Sequence, residues 1–157
     1  MEYTELTINI VPKSVQSFRI GRYGGYQDKK VVAYKKEIRR QAEEALGENW
    51  EPFSCMVVMD ELIFMFPLPK NTPKYVIQSV ESGFIYYRES TPDLEDNMAK
   101  GLFDALNGLL MEDDKQIVES RLRRKIFTAG EPGIYLKCHP MNYDQKEQMK
   151  ELQRCLH

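Results

Sequence analysis

The sequence predicts an α/β (α+β) fold, a single domain with a mixed β-sheet flanked by helices. Three observations predict it. Apolar strand-like segments stand near both ends and in the middle of the chain, and helical periodicities lie between them. No internal repeat or low-complexity linker divides the 157 residues. Strands interleaved with helices bury both layers against one core. A chain of this length suits one domain, residues 1–157, and is short for two.

Thr4 to Val11 alternates, with Leu6, Ile8 and Ile10 on one face, and Pro12 ends it. The following SFRIGRYGGYQD is made permissive by Gly21, Gly24 and Gly25. From Lys29 to Leu46 the spacing of Val32, Tyr34, Ile38, Ala42 and Leu46 predicts an amphipathic helix stopped by Gly47, with Lys35, Lys36, Arg39 and Arg40 on its outer face. Cys55 to Phe66, rich in Val, Ile, Met and Phe, reads as a long strand in the middle of a sheet, closed by Pro67, Pro69 and Pro73. A short helix over Lys74–Ser82 and an extended piece over Gly83–Arg88 come next. A second clear helix starts near Thr91, with Thr91 as cap, Pro92 at its first position and Asp93 at the positive end of the dipole. Its apolar face carries Ala99, Leu102, Phe103, Leu106, Leu109 and Leu110, and Asn107-Gly108 supplies a stop. Gln116–Thr128 predicts a strand, Ile134–Cys138 its partner, and Tyr143–Leu156 a polar terminal helix.

Composition narrows the class. Hydrophobic residues at 42% and charged residues at 29% are ordinary for a soluble globular protein. The longest apolar region, Cys55–Pro69, is broken by Asp60 and Glu61, so no membrane-spanning segment is expected. MEYTELTINI lacks the basic start and apolar run of a secretion signal. Cys55, Cys138 and Cys155 are an odd number without metal-site spacing, which suits a reducing cytoplasm. His139 and His157 have no nucleophilic partner placed by a motif, and Trp50 suits either a core edge or a dimer contact.

The net charge of −2 hides an asymmetry. Residues 13–40 hold nine basic side chains against Asp28 and Glu37, a local +7 that leaves −9 for the remainder. Phe18, Tyr23, Tyr26 and Tyr34 are interleaved with them. Lys and Arg hold phosphate backbones and aromatic faces support unstacked bases, so this mixture suits an irregular nucleic acid. A solvated basic helix face is the plainer alternative.

The other concentration of charge is acidic, in TPDLEDNMAKGLFDALNGLLMEDDKQI. Asp96 and Lys100 are four apart and share a helix face, with Asp93 on the adjoining first turn. About 17 Å of helix separates Asp96 from Asn107, and an extended return of roughly 20 Å from Gly108 brings Asp113 or Asp114 back beside Asp96. Three such carboxylates repel one another and call for a hard cation such as Mg²⁺, which combines a few carboxylates with phosphate oxygens and water. A nearby lysine then neutralises charge on the phosphate. The same residues also read as a helix start, a surface pair and a polar turn.

PDLEDNMAK, DALNG and EDDKQI, in that order and spacing, resemble the RusA family of Holliday-junction resolvases, common in prophages. SFRIGRYGGYQDKKVVAYKKEIR is similar to that family's basic loop and following helix, and RLRRKIF and GIYLK to its closing strands. The resemblance implies a RusA-like Mg²⁺-dependent endonuclease, with Mn²⁺ able to replace Mg²⁺, that acts as a homodimer. It implies symmetric paired nicks in a four-way junction, leaving a 5′-phosphate and a 3′-hydroxyl, in DNA recombination and repair. Carried over by motif, Asp93, Asp96 and Asp114 are the metal-binding residues and Lys100 the phosphate contact. Arg19, Arg22, Lys29 and Lys30 grip DNA, with Tyr23 or Phe18 beneath unstacked bases. This chain reads PDLEDN where PDLDN is usual. A local bulge can restore Asp93, Glu95 can replace it, or one metal contact is weakened; helix spacing favours Asp93 and turns Glu95 away. A non-cleaving branched-DNA-binding module of a phage or prophage is the alternative function.

Overall fold

Leu6 and Ile8 alternate into the core from the first strand, as do Ile134, Leu136 and Cys138 from the last, and these two strands are neighbours in the sheet. The computed structural model describes residues 2–15, 19–21, 24–26 and 29–157, the two short internal segments by backbone alone. In chain order the elements are β1 (Thr4–Ile8), β2 (Arg19–Gly21), β3 (Gly24–Tyr26), α1 (Lys29–Leu46), β4 (Met56–Pro67) and α2 (Lys74–Glu81). A π-helical stretch (Leu94–Ala99) runs into α3 (Lys100–Leu106), and a 3₁₀ turn (Asp114–Gln116) into β5 (Ile117–Thr128). The chain ends in β6 (Gly133–Met141) and α4 (Gln145–Leu156).

The main sheet has the order β1-β6-β4-β5, with β4 parallel to β5 and antiparallel to β6, and β2 pairs with β3 in a separate ribbon. This is a small α+β domain on a mixed sheet. The long apolar strand lies inside it, as its composition predicts: Val57, Met59, Leu62, Phe64 and Phe66 join one core with Tyr34, Ile38 and Ala42 of α1 and Leu102 and Leu106 of α3. α1 takes its predicted bounds, and Gly47, at φ +87°, ends it. No helix among the described residues is long and apolar enough to cross a membrane. Trp50 covers an edge of the core, its indole N–H donating to Leu109 O at 2.9 Å.

Three sequence expectations are corrected. β6 does not pair with β5; it crosses β4 and inserts between β4 and β1. Two strand spacings of about 4.8 Å are within reach of the short 129–132 connection, and the apolar Ile134, Leu136 and Cys138 gain a central position. The second helix does not start at Thr91: Thr91–Pro92 is a cis peptide and Asp93 remains extended. Lys125 Nζ donates to Ser90 O (2.7 Å) and Pro92 O (3.0 Å), holding this stretch along β5. Finally, Lys35 and Arg39 are only partly exposed and reach across to α3. Lys35 pairs with Asp104 at 3.6 Å, and Arg39 Nη1 donates to Asn107 O (2.8 Å) and Ala105 O (3.3 Å), satisfying carbonyls at the end of α3.

Candidate active site

The π-helical stretch is defined by wide turns: Met98 N–H donates to Asp93 O at 3.2 Å, and Lys100 N–H to Glu95 O. Each hydrogen bond spans one more residue than in an α-helix, a device frequent at functional sites. Met98 and Ala99 are buried on its inner side, so Asp93, Glu95, Asp96 and Lys100 are left at the surface. Asp93 occupies the N-cap position, yet its carboxylate caps nothing. Among the described residues no ion pair joins Asp96 to Lys100. Glu95 is engaged instead, by the Arg123 guanidinium of β5, which also lies 5.5 Å from the centre of the Phe103 ring.

Val15 meets this junction from the other side. Its N–H donates to Asn97 O at 3.1 Å, and its side chain packs on Gly101, where an added Cβ would stand 2.7 Å from Val15 Cβ. Asn97 and Gly101 each adjoin a site candidate, Asp96 and Lys100. The basic segment therefore takes root beside them. Of its residues, Phe18, Arg22 and Tyr23 lie outside the described residues, as does the side chain of Arg19 in β2. Lys29 and Lys30 open α1 and are exposed.

The return from α3 is shorter than a fully extended one. Leu110 N–H bonds Leu106 O and Gly108 N–H bonds Met111 O, so residues 107–111 form a turn, and Asp113 caps the 3₁₀ turn that follows. Gln116 pins that turn, donating to Phe53 O and Cys55 O at 2.7 Å each. The carboxylate from α3 whose charge acts on Asp114 is that of Asp104. Burial raises the Asp114 carboxyl above its ordinary range, with the adjacent Asp113 reinforcing the shift through a hydrogen bond and its charge. The Lys115 backbone N–H and the hydrogen bond with Asp114 lower Asp113. The two behave as a pair in which Asp114 holds the proton more tightly.

The site thus brings Asp93, Asp96 and Lys100 to one short segment and sets Asp114 beside Asp113 and Asp104. No trio of His, Cys, Asp or Glu among the described residues is placed to hold a metal ion. The donors are nonetheless hard carboxylate oxygens, and Mg²⁺ commonly binds through one or two carboxylates, with phosphate oxygens and water completing its shell. Sequence reasoning passed over Asp104, Gln116, Arg123 and Lys125. DALNG and DDKQ carried the first two; nothing local marked the strand cations as braces for this segment.

The family model described as Endodeoxyribonuclease RusA matches residues 9–139. The chain belongs to the RusA endodeoxyribonuclease family. It is accordingly a nuclease acting on DNA, of a junction-resolving family. No curated protein matches it. Within the RusA match, Glu95 of PDLEDN falls in the π-helical stretch. β6 from Pro140 onward and all of α4 lie beyond the matched residues.

Proposed function

We propose that this RusA-family chain is a Mg²⁺-dependent, structure-selective endonuclease that resolves four-way DNA junctions by symmetric paired nicks. The observation that carries the reading is the exposed Asp96 and Lys100 at the π–α junction, neither with an ion-pair partner among the described residues, and the root of the basic segment bound to Asn97 between them. A carboxylate left without a cationic partner beside a lysine left without an anionic one suits a site completed by a phosphodiester and a counter-cation.

Asp93, Asp96 and Asp114 are the residues that would hold the ion. When bound, it supplies an activated water at neutral pH and stabilisation of the leaving oxygen. Lys100 contacts the scissile phosphate and offsets the charge that grows on it. Arg19, Arg22, Lys29 and Lys30 grip the backbone, and Tyr23 or Phe18 supports unstacked bases. A homodimer places two such sites about a two-fold axis, matching two symmetric cuts. The cation also offsets repulsion between the carboxylates and DNA, so a chelator weakens binding as well as chemistry.

The test is cleavage of a synthetic four-way junction in Mg²⁺ by the wild type and Asp96→Asn, with a chelator control. Cutting by the wild type alone, abolished by the chelator, is expected. Junctions bound but left intact by both proteins would make the chain a non-cleaving branched-DNA-binding module.

A further inference from the structure

The insertion between β4 and the π-helical stretch holds aromatic side chains that the core does not use. Tyr75, Phe84 and Tyr87 are 72%, 64% and 53% exposed, and Tyr86 38%. No residue of α2 is buried. Tyr75, Val76, Ser79, Phe84 and Tyr86 line a cavity of about 230 Å³. That is smaller than the roughly 300–1,000 Å³ pockets that enclose drug-sized ligands, and leaves room for one flat ring system.

The patch is firmly backed. The Tyr86 ring packs 4.8 Å from that of Phe127, Phe127 N–H donates to Tyr86 O at 2.8 Å, and Arg88 N–H to Lys125 O at 2.9 Å. The Arg88 guanidinium lies 4.2 Å over the Phe66 ring. Between residues 68 and 90 the charges nearly cancel, with Lys70, Lys74 and Arg88 against Glu81 and Glu89. A near-neutral aromatic surface favours the faces of bases over the phosphate backbone.

Its position is set by the same strand that braces the candidate site. Lys125 fixes Pro92 O immediately before Asp93, and its own carbonyl takes the Arg88 N–H. Tyr86 and Asp93 are seven residues apart, at most about 25 Å, or roughly seven nucleotides of one strand at 3.4 Å each.

We propose that Tyr75, Phe84 and Tyr86 form a stacking platform that receives an unpaired base of the branched DNA close to the cut. This rests on the reading of the chain as a branched-DNA nuclease. Bases opened at a branch point leave the duplex stack with little further cost, and an aromatic slot selects them without reading sequence.

The experiment uses the full chain and three DNAs: a four-way junction with 2-aminopurine at the crossover, a single strand carrying the same probe, and a blunt duplex. The wild type should quench the probe in the first two. The double variant Tyr75→Ala/Phe84→Ala should bind both more weakly, by roughly five- to a hundred-fold, with duplex affinity unchanged. Tyr75→Trp/Phe84→Trp should restore quenching, which a merely structural role for these exposed rings does not predict. Equal affinity and quenching for the alanine variant and wild type overturn the platform. Junction cleavage by the wild type, followed in parallel, separates the two readings. Stacking without cleavage removes the nuclease mechanism and keeps the platform, whereas cleavage with no effect of the alanine variant does the reverse.

Discussion

The Arg123 guanidinium on β5 holds the Glu95 carboxylate on the π-helical stretch, while the neighbouring Asp96 has no such partner among the described residues. Glu95 is therefore occupied on the sheet side, and Asp93 and Asp96 stay exposed on the wide turn.

This division predicts opposite outcomes for adjacent acids. Glu95 is 64% exposed, so its ion pair contributes no more than about 1 kcal/mol, and Glu95→Gln should change junction cleavage by at most about fivefold. Asp93→Asn and Asp96→Asn should each lose more than the roughly 100-fold that marks the upper range for outer-shell partners. Single-turnover rates on a four-way junction decide it. A Glu95→Gln enzyme as inactive as Asp96→Asn would assign the extra residue a ligand role.

On the opposite side of the sheet, at the β-bulge in β4, Asp60 Oδ2 and His139 Nδ1 are 2.7 Å apart, both groups nearly excluded from solvent. Arg121 Nη1 donates to the other carboxylate oxygen at 3.4 Å, and the Tyr3 ring stands edge-on to the imidazole. Asp60→Ala strands a buried imidazole nitrogen, at a cost of about 1–3 kcal/mol. Thermal unfolding should show a melting temperature lower by several degrees, with Asp60→Asn, which keeps an oxygen in place, falling less. An alanine variant that melts with the wild type would mean water satisfies the imidazole without Asp60.

Which features were legible in the sequence follows from the range of the interactions behind them. α1 obeyed its own periodicity from Lys29 to Leu46 because Tyr34, Ile38 and Ala42 lie on one stripe and Gly47 ends it. The central strand was equally plain, since only an interior position buries Val57, Val58, Met59, Leu62 and Phe64 completely. The second helix starts later than Thr91 and Pro92 suggest, because Lys125, over thirty residues away, takes the Ser90 and Pro92 carbonyls on either side of Thr91 for the sheet edge. Asp96 and Lys100 are both exposed, as a shared helix face implies. The surroundings of Asp114 were not legible, since the Gly108–Met111 turn and the Gln116 anchors set the return, and Asp113 and Asp104 are the carboxylates whose charge acts on it. Arg39 looked like an exposed cation until the end of α3 arrived beside it.

Two buried protons predict the alkaline limit of the fold. Burial pushes the Cys138 thiol up to about 12, with the Asp60 charge adding to the effect. Burial likewise raises the Tyr34 phenol to about 12, against a smaller opposing pull from the Lys13 N–H. Both groups keep their protons longer when folded than when unfolded, where they titrate near 9 and 10. Their stabilising contribution is fully present below about pH 9 and declines as the pH rises towards 12. Denaturant midpoints should fall steadily above about pH 9, and Cys138→Ala should flatten part of that slope. A midpoint constant to about pH 11 would contradict it.

Gly101 tests whether the basic segment and the acidic segment act as one unit. The contact with Val15 leaves no space for a side chain: an added Cβ would lie 2.7 Å from Val15 Cβ and 2.8 Å from Cγ2. Gly101→Ala must either strain the helix junction, at about 1–3 kcal/mol, or displace Val15 and break its bond to Asn97 O. The first route lowers the melting temperature; the second frees the root of the segment that carries Arg19, Arg22, Lys29 and Lys30. Junction affinity should fall by about fivefold or more if a comparable energy is lost from binding. Val15→Gly, added to Gly101→Ala, removes the clash, so the double variant should be less destabilised than the sum of the two single variants. Unchanged melting and unchanged junction affinity in the single variant would show that the two segments are not mechanically coupled through this contact.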